Sequence, residues 1–132
     1  MKKRIFTTIL GAVLLLSGCG TKQTDLDKLQ GDWRNDSGGI VIYAPNEKDD
    51  IYGDADIIDN NNTKNATYEW HESSQKIIFT YADNWGDRVN VTYKYEIIND
   101  TELNLTPVEY SDSTITRSLD NEDTQIFEKI NE

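Results

Sequence analysis

Short runs of alternating apolar and polar residues are the feature that most restricts the fold of this chain. In the clearest run, Arg88 to Ile98, every second residue from Val89 to Ile97 is apolar or aromatic and the residues between them are polar. A period of two residues is typical of a β-strand with one buried and one solvated face. The sustained 3.6-residue period of a long helix appears nowhere after residue 29, so the pattern predicts an all-β domain.

Clusters of Asn, Asp, Gly and Ser separate these runs and favour turns between antiparallel strands. We count eight or nine runs: Leu29 to Arg34, Gly39 to Tyr43, Asp54 to Ile58, Asn65 to Trp70, Lys76 to Tyr81, Arg88 to Ile98, Glu102 to Thr106, Ser113 to Leu119 and Thr124 to Ile130. A meander with one apolar face must close on itself or be covered, and no predicted helix is long enough to cover it. We therefore predict a small up-and-down antiparallel β-barrel of eight or nine strands.

Two short motifs lie at the head of this meander. Thr24-Asp25-Leu26-Asp27 has the spacing of a helix capping box, with Asp in place of the preferred Glu or Gln, and predicts a single helical turn. Gly31-Asp32-Trp33 follows in the first run and resembles the Gly-x-Trp signature of lipocalins and of compact lipocalin-like bacterial lipoproteins. The resemblance implies that Trp33 packs at the closed end of the barrel under a basic residue from a late strand, a position that either Arg117 or Lys129 can take.

The N-terminal residues have the organisation of a secretion signal. A basic start is followed by the uncharged apolar segment Ile5 to Leu16 and then by Leu16-Ser17-Gly18-Cys19. This arrangement resembles a bacterial lipoprotein precursor, which implies cleavage before Cys19, a diacylglyceryl group on its thiol and an extracytoplasmic, membrane-anchored protein. We expect residues 1–18 to be the signal peptide, 19–28 the lipidated tether and 29–132 the lipocalin-like barrel. The alternative is a plain secretory signal with a free cysteine in the mature protein.

The charge balance restricts the possible partners. The chain has 24 Asp and Glu against 13 Lys and Arg, a net charge of −11. Removing the three basic residues of the signal leaves 10 against 24, or −14 for the mature chain. Such a domain repels phosphate backbones and anionic lipid headgroups, so we expect neither nucleic acid nor a flat membrane surface as its target. A cationic partner fits this charge, and so does a role in solubility alone.

Aromatic residues supply the candidate ligand-binding positions. One group alternates along three neighbouring predicted strands and can either line a pocket for a small apolar or aromatic molecule or fill the barrel; it comprises Tyr68, Trp70, Phe79, Tyr81, Tyr93 and Tyr95. Trp85 lies in a predicted hairpin turn, where it can contact a ligand or partner or fold back as a lid.

The sequence holds no recognisable catalytic or cofactor motif. Asp54, Asp56 and Asp59, with Glu47, Asp49 and Asp50 nearby, provide oxygen ligands for calcium, but without the spacing or the turn glycine of an EF-hand loop. A solvated acidic edge is the alternative. His71 is the single histidine, and we interpret it as a turn residue. We expect a protein that is not an enzyme and holds neither a metal nor a cofactor.

Two hypotheses for function follow from these patterns. The first is a lipid-anchored binding module that holds a small apolar or aromatic ligand inside the barrel. The second is a solid-core interaction protein, of inhibitor or immunity type, that binds a cationic partner; an accessory protein with an exposed strand edge is a third possibility. Up-and-down connectivity predicts that Ala44 to Gly53, His71 to Gln75 and Asn99 to Thr101 lie at the tethered end, with Asn35 to Gly38, Asp59 to Lys64, Ala82 to Asp87 and Pro107 to Asp112 at the other.

Overall fold

The computed structural model describes residues 24–60, 62–119 and 122–130. The predicted signal peptide and Cys19 lie outside the described residues. One short helix and nine strands follow in chain order: α1 (Asp25–Leu29), β1 (Gly31–Asn35), β2 (Gly38–Pro45), β3 (Tyr52–Asp59), β4 (Asn62–His71), β5 (Lys76–Ala82), β6 (Arg88–Asn99), β7 (Glu102–Ser111), β8 (Thr116–Ser118) and β9 (Gln125–Lys129). No helix among these described residues is long and apolar enough to cross a membrane.

The strands form a closed antiparallel barrel, which confirms the predicted fold class. Each strand from β1 to β7 pairs with the next, β7 pairs with β9, and β9 pairs with β1, so that eight strands close the wall. The ninth strand, β8, pairs with the far half of β7 on the edge that β9 leaves open. Closure removes most of the free strand edges that an open meander of this length would expose.

Strand β7 is longer than the alternation predicts. The predicted turn from Pro107 to Asp112 is wrong, because pairing with β6 continues through Pro107 to Ser111. The register shifts between Thr92 and Tyr93, which pair with Glu109 and Pro107, so that Val108 is the extra residue of a β-bulge. A proline has no N–H to give to a ladder and is tolerated in a strand at such an irregularity.

The helix α1 closes one end of the barrel. The Thr24 hydroxyl accepts from the Asp27 N–H at 3.2 Å, and the Asp27 carboxylate accepts from the Thr24 N–H at 3.0 Å, which completes the predicted capping box. Leu26 and Leu29 are buried in the barrel core. Leu29 was expected to begin the first strand; instead it ends α1, because its side chain belongs to the apolar face of this turn of helix.

Pairing places the hairpins at two ends, as up-and-down connectivity predicts. The β2–β3, β4–β5 and β6–β7 hairpins lie at the end where β1 begins and α1 packs, and the β1–β2, β3–β4, β5–β6 and β7–β8 turns lie at the opposite end. The core between them contains mostly large side chains from alternate positions of the strands, among them Trp33, Tyr68, Phe79, Ile77, Leu103 and Leu105.

Candidate functional site

Trp33 lies at the closed end of the barrel, fully buried at 0% exposure. Its indole N–H donates to the Leu29 carbonyl at 2.8 Å, and the ammonium group of Lys129 lies 4.9 Å from its ring centroid. Of the two basic residues that the sequence offered for this position, Lys129 occupies it because β1 and β9 pair in register there. A Cβ on Gly31 would come within 2.9 Å of the Lys129 side chain, so glycine leaves room for this contact. Arg117 packs instead over Tyr110, 5.0 Å from its ring centroid.

Four of the six candidate ligand-binding rings belong to the packed core. Tyr68, Trp70, Phe79 and Tyr95 are buried, on the inward positions that the alternation predicts. The Tyr68 hydroxyl donates to the Tyr43 carbonyl at 2.8 Å, and the Trp70 indole donates to the Tyr95 hydroxyl at 3.1 Å. These rings contact and hydrogen-bond the protein itself, so this part of the interior is filled.

Tyr81 and Tyr93 pack against this core and are only partly buried. The ring of Tyr93 packs edge to face against Phe79 with centroids 5.8 Å apart, and the Lys64 ammonium lies 5.3 Å from the Tyr81 ring centroid. Burial raises the pKa of Tyr93 to about 12 and raises that of Tyr81 as well. In the described part of the chain neither hydroxyl has a hydrogen-bond partner. The six rings therefore share one face, but four of them are buried in the core and two are partly buried and pack against it.

Trp85 is the most exposed aromatic residue described, with 88% of its surface accessible. It does not cover the barrel end as a lid. The turn that carries it is held by Asp83, whose carboxylate accepts from the N–H groups of Trp85 at 2.8 Å and Asp87 at 2.9 Å. The Gly86 N–H donates to the Asp83 carbonyl at 3.0 Å. This internal bonding presents the indole on an ordered turn, as a contact surface requires.

A groove of about 830 Å³ crosses the outside of the barrel wall from β2 to β6. Most of its lining residues occupy outward positions, and three, Ala55, Ala66 and Tyr81, occupy inward ones. Ala55 and Ala66, directly paired across β3 and β4, place small side chains inside the wall beneath it. We call this site the outer groove; it is lined by Tyr43, Asp54, Ala55, Asp56, Asn65, Ala66, Thr67, Thr80, Tyr81, Ala82, Gly86 and Arg88.

Some polar side chains of the outer groove are hydrogen-bonded within the protein and others are not. The Tyr43 hydroxyl donates to Asp56 Oδ2 at 2.7 Å, which raises the pKa of this phenol, and Thr80 donates to Asn90 at 2.6 Å. Among the described residues, no hydrogen-bond partner is found for four other side chains of the groove: Asp54, Asn65, Thr67 and Arg88. Sequence reasoning missed this site, because the alternation assigns each of these residues simply to the solvated face.

The acidic residues that suggested calcium do not converge. Asp54 and Asp56 share the outward face of β3, whereas Asp59 pairs with Gly38 on the inward face. Within the described ranges, no three His, Cys, Asp or Glu side chains lie close enough together to hold a metal ion. His71 Nε2 lies 2.7 Å from Glu69 Oε2 in a half-exposed pair at the end of β4.

Comparison of the chain with protein-family models, with curated proteins and with solved structures gives no significant match. The functional assignment therefore depends on the geometry of the chain itself.

Proposed function

We propose that this chain is a lipid-anchored, extracytoplasmic interaction protein, a binding module and not an enzyme, that meets a cationic partner with the outer wall of a lipocalin-like barrel. The observation that carries this proposal is the filled interior. Tyr68, Trp70 and Tyr95 use their polar atoms on protein partners, which leaves little of the aromatic face for a ligand inside. This favours the solid-core hypothesis over the small-molecule one.

The distribution of charge supports a cationic partner. Three of the basic side chains pack against aromatic rings: Lys64 on Tyr81, Arg117 on Tyr110 and Lys129 on Trp33. Arg34 is paired with Asp32. The carboxylates of Asp54 and Asp56 have no such basic partner among the described residues, so their negative charge on the outer wall is not neutralised by an ion pair. The chain as a whole has a net charge of −11. An acidic wall of this kind increases the rate of encounter with positively charged proteins.

The proposed anchor suits this use of the wall. The Leu16-Ser17-Gly18-Cys19 sequence lies a few residues before α1, and α1 packs at the end of the barrel where β1 begins. A lipid on Cys19 would hold that end towards the membrane. The β5–β6 turn with Trp85 would then point away from it, and the walls would be open to a partner from either side.

Nuclear magnetic resonance titration of the isotope-labelled full chain in detergent tests the proposal. The probes are a lysine-rich peptide, a glutamate-rich peptide of equal length, and naphthalene as a small aromatic molecule. We expect the lysine-rich peptide alone to bind saturably, with shifts on β1 to β4 around Asp32, Asp54 and Asp56 that weaken as salt is added.

Two results would overturn the proposal. Saturable binding of naphthalene with shifts at Phe79 and Tyr93, which do not line the outer groove, would favour a ligand inside the barrel. Uniform, unsaturable shifts at every acidic residue would show that the charge serves solubility alone. The anchor is tested separately, because a Cys19→Ala precursor that is still cleaved and membrane-bound would exclude lipidation at this residue.

A further inference from the structure

We propose that the outer groove binds a short, neutral saccharide chain, which lies across strands β2 to β6 with a ring stacked on Trp85. This site shares Asp54 and Asp56 with the wall proposed above for a cationic partner, but it takes a different, uncharged ligand. The inference depends on the shape of the groove, on its uncommitted polar groups and on the position of the exposed tryptophan.

The uncommitted polar groups of the groove match the hydrogen bonding of a sugar. Asp54 is an acceptor, Arg88 is a donor, and Asn65 and Thr67 are both. Each sugar hydroxyl likewise donates one bond and accepts others, so a polyhydroxylated ligand can use this mixed set. A simple cation would leave the donors of Asn65, Thr67 and Arg88 without partners, and an anion would face Asp54 and Asp56.

Two exposed aromatic residues line or adjoin the groove. Tyr43, at the β2 end, is 46% exposed, and its hydroxyl is fixed by the bond to Asp56. Trp85 is the chain neighbour of Gly86, which lines the β6 end. Neighbouring strands are about 4.8 Å apart, so the four spacings from β2 to β6 make a path of roughly 19 Å along the curved wall. Indole and phenol rings offer apolar faces with polar edges, which suit the C–H face of a sugar ring.

Other ligand classes fit the groove less well. The strands that form its floor, β3, β4 and β5, are paired on both edges, so an extended peptide finds no free backbone ladder there. Few apolar side chains line it besides the alanines, so a lipid or another apolar molecule would bury little surface. The volume of about 830 Å³ lies within the range of sites that enclose a ligand of several rings.

Titration of the labelled full chain in detergent with three neutral probes, cellotetraose, maltotetraose and N-acetylchitotetraose, tests the proposal. We expect at least one to bind saturably, with shifts at Asn65, Thr67 and the Trp85 indole. In the Asn65→Ala, Thr67→Ala double variant we expect about tenfold weaker binding, because two hydrogen bonds to the ligand are lost. Trp85→Ala should weaken binding to a similar degree, since the stacking surface is removed.

Matched variants provide the controls. Asn62 and Thr63 lie on the same strand as Asn65 and Thr67, are also exposed, and do not line the groove. Tyr52 is a half-exposed ring outside the groove. The Asn62→Ala, Thr63→Ala double variant and Tyr52→Ala should change the Kd less than twofold.

Three outcomes would overturn the saccharide site. The first is the absence of saturable binding to any of the three probes. The second is an equal loss of affinity in the groove and control variants. The third is saturable sugar binding that leaves the signals of Asn65, Thr67 and the Trp85 indole unchanged, which would place the sugar elsewhere on the protein. Because Asp54 and Asp56 belong to both sites, the two proposals are distinguished by ligand and by salt: binding of the lysine-rich peptide should weaken as salt is added, and binding of a neutral sugar should not.

Discussion

Tyr95 connects the short helix to the barrel wall. Its hydroxyl donates to Asp25 at 2.9 Å and accepts from the Trp70 indole at 3.1 Å. We expect Tyr95→Phe to lower the free energy of unfolding by about 1–3 kcal/mol, because the buried Trp70 N–H is left without an acceptor. Urea denaturation measures the change. The control is Tyr93→Phe, since the Tyr93 hydroxyl has no partner in the described chain, and an equal loss in both variants would contradict the network.

Asp112 orders the β7–β8 turn through its charged carboxylate. It accepts from the N–H groups of Ile115 and Thr114, each at 2.9 Å, and these bonds hold its pKa at about 2. Because this pKa is lowered, the stabilisation is complete above the usual carboxyl range near pH 4 and is lost as the pH falls through about 2. We expect the Thr114 and Ile115 amide signals to titrate with that midpoint. A midpoint near 4, or a titration that persists in Asp112→Ala, would contradict this role.

Individual residues differ in how far the sequence can locate them. Alternation placed Tyr68, Trp70 and Phe79 on one face correctly, because strand geometry alone decides that property. The resemblance to lipocalins left both Arg117 and Lys129 as candidates for the position over Trp33. Only the register between β1 and β9, strands almost a hundred residues apart in the chain, selects Lys129, and local patterns carry no information on such a register.

At the scale of elements, α1 shows how a short helix depends on its cap. The helix has only five residues, and its first turn carries a complete capping box between Thr24 and Asp27. We expect Thr24→Ala to lower stability by about 1 kcal/mol, the usual cost of a lost N-cap. Thr24→Ser keeps the hydroxyl and should retain most of it. Thermal unfolding followed by circular dichroism compares the two variants, and identical melting curves would show that the cap is not needed.

The strands show where alternation succeeds and where it fails. All nine predicted strands exist, because each hairpin carries its own turn residues and its own period of two. The predicted end of β7 was wrong. Proline is typical of turns, which suggested that the strand stops before Pro107, whereas the bulge at Val108 lets the strand continue past it. The outer groove was missed for a related reason. It arises from outward residues of five strands brought together by the wall, and their spacing in sequence gives no sign of it.

The whole molecule combines a packed core with an outer groove and an exposed β5–β6 turn, which adjoin each other at Gly86. Eight strands enclose the packed rings, and the groove lies on the outside of the wall that they form. The outer groove runs from Tyr43, near the end that α1 closes, to Gly86 and Arg88, near the opposite end. In the proposed anchored orientation, a ligand in the groove would therefore lie across the wall and reach from the membrane side to the outer turn.

Tyrosine hydroxyl groups that are shielded from solvent limit the stability of the barrel at alkaline pH. From an ordinary value of 10.0, burial raises the pKa of Tyr68 and of Tyr93 to about 12, and it also raises the pKa of Tyr95. In the unfolded chain these phenols ionise near their ordinary value. Their stabilisation is therefore complete below about pH 10 and is lost as the pH rises through about 12.

We expect cooperative unfolding between about pH 10 and 12, with the buried phenols ionising only as the near-ultraviolet circular dichroism is lost. Absorbance of tyrosinate, recorded with that signal, measures both events. Tyr93→Phe removes one of the three phenols with a raised pKa, so its unfolding midpoint should move to higher pH if the variant folds with the native spectrum. Ionisation of all seven tyrosines in one step near pH 10, with the circular dichroism unchanged, would show that the rings are accessible to solvent and that the interior is not filled.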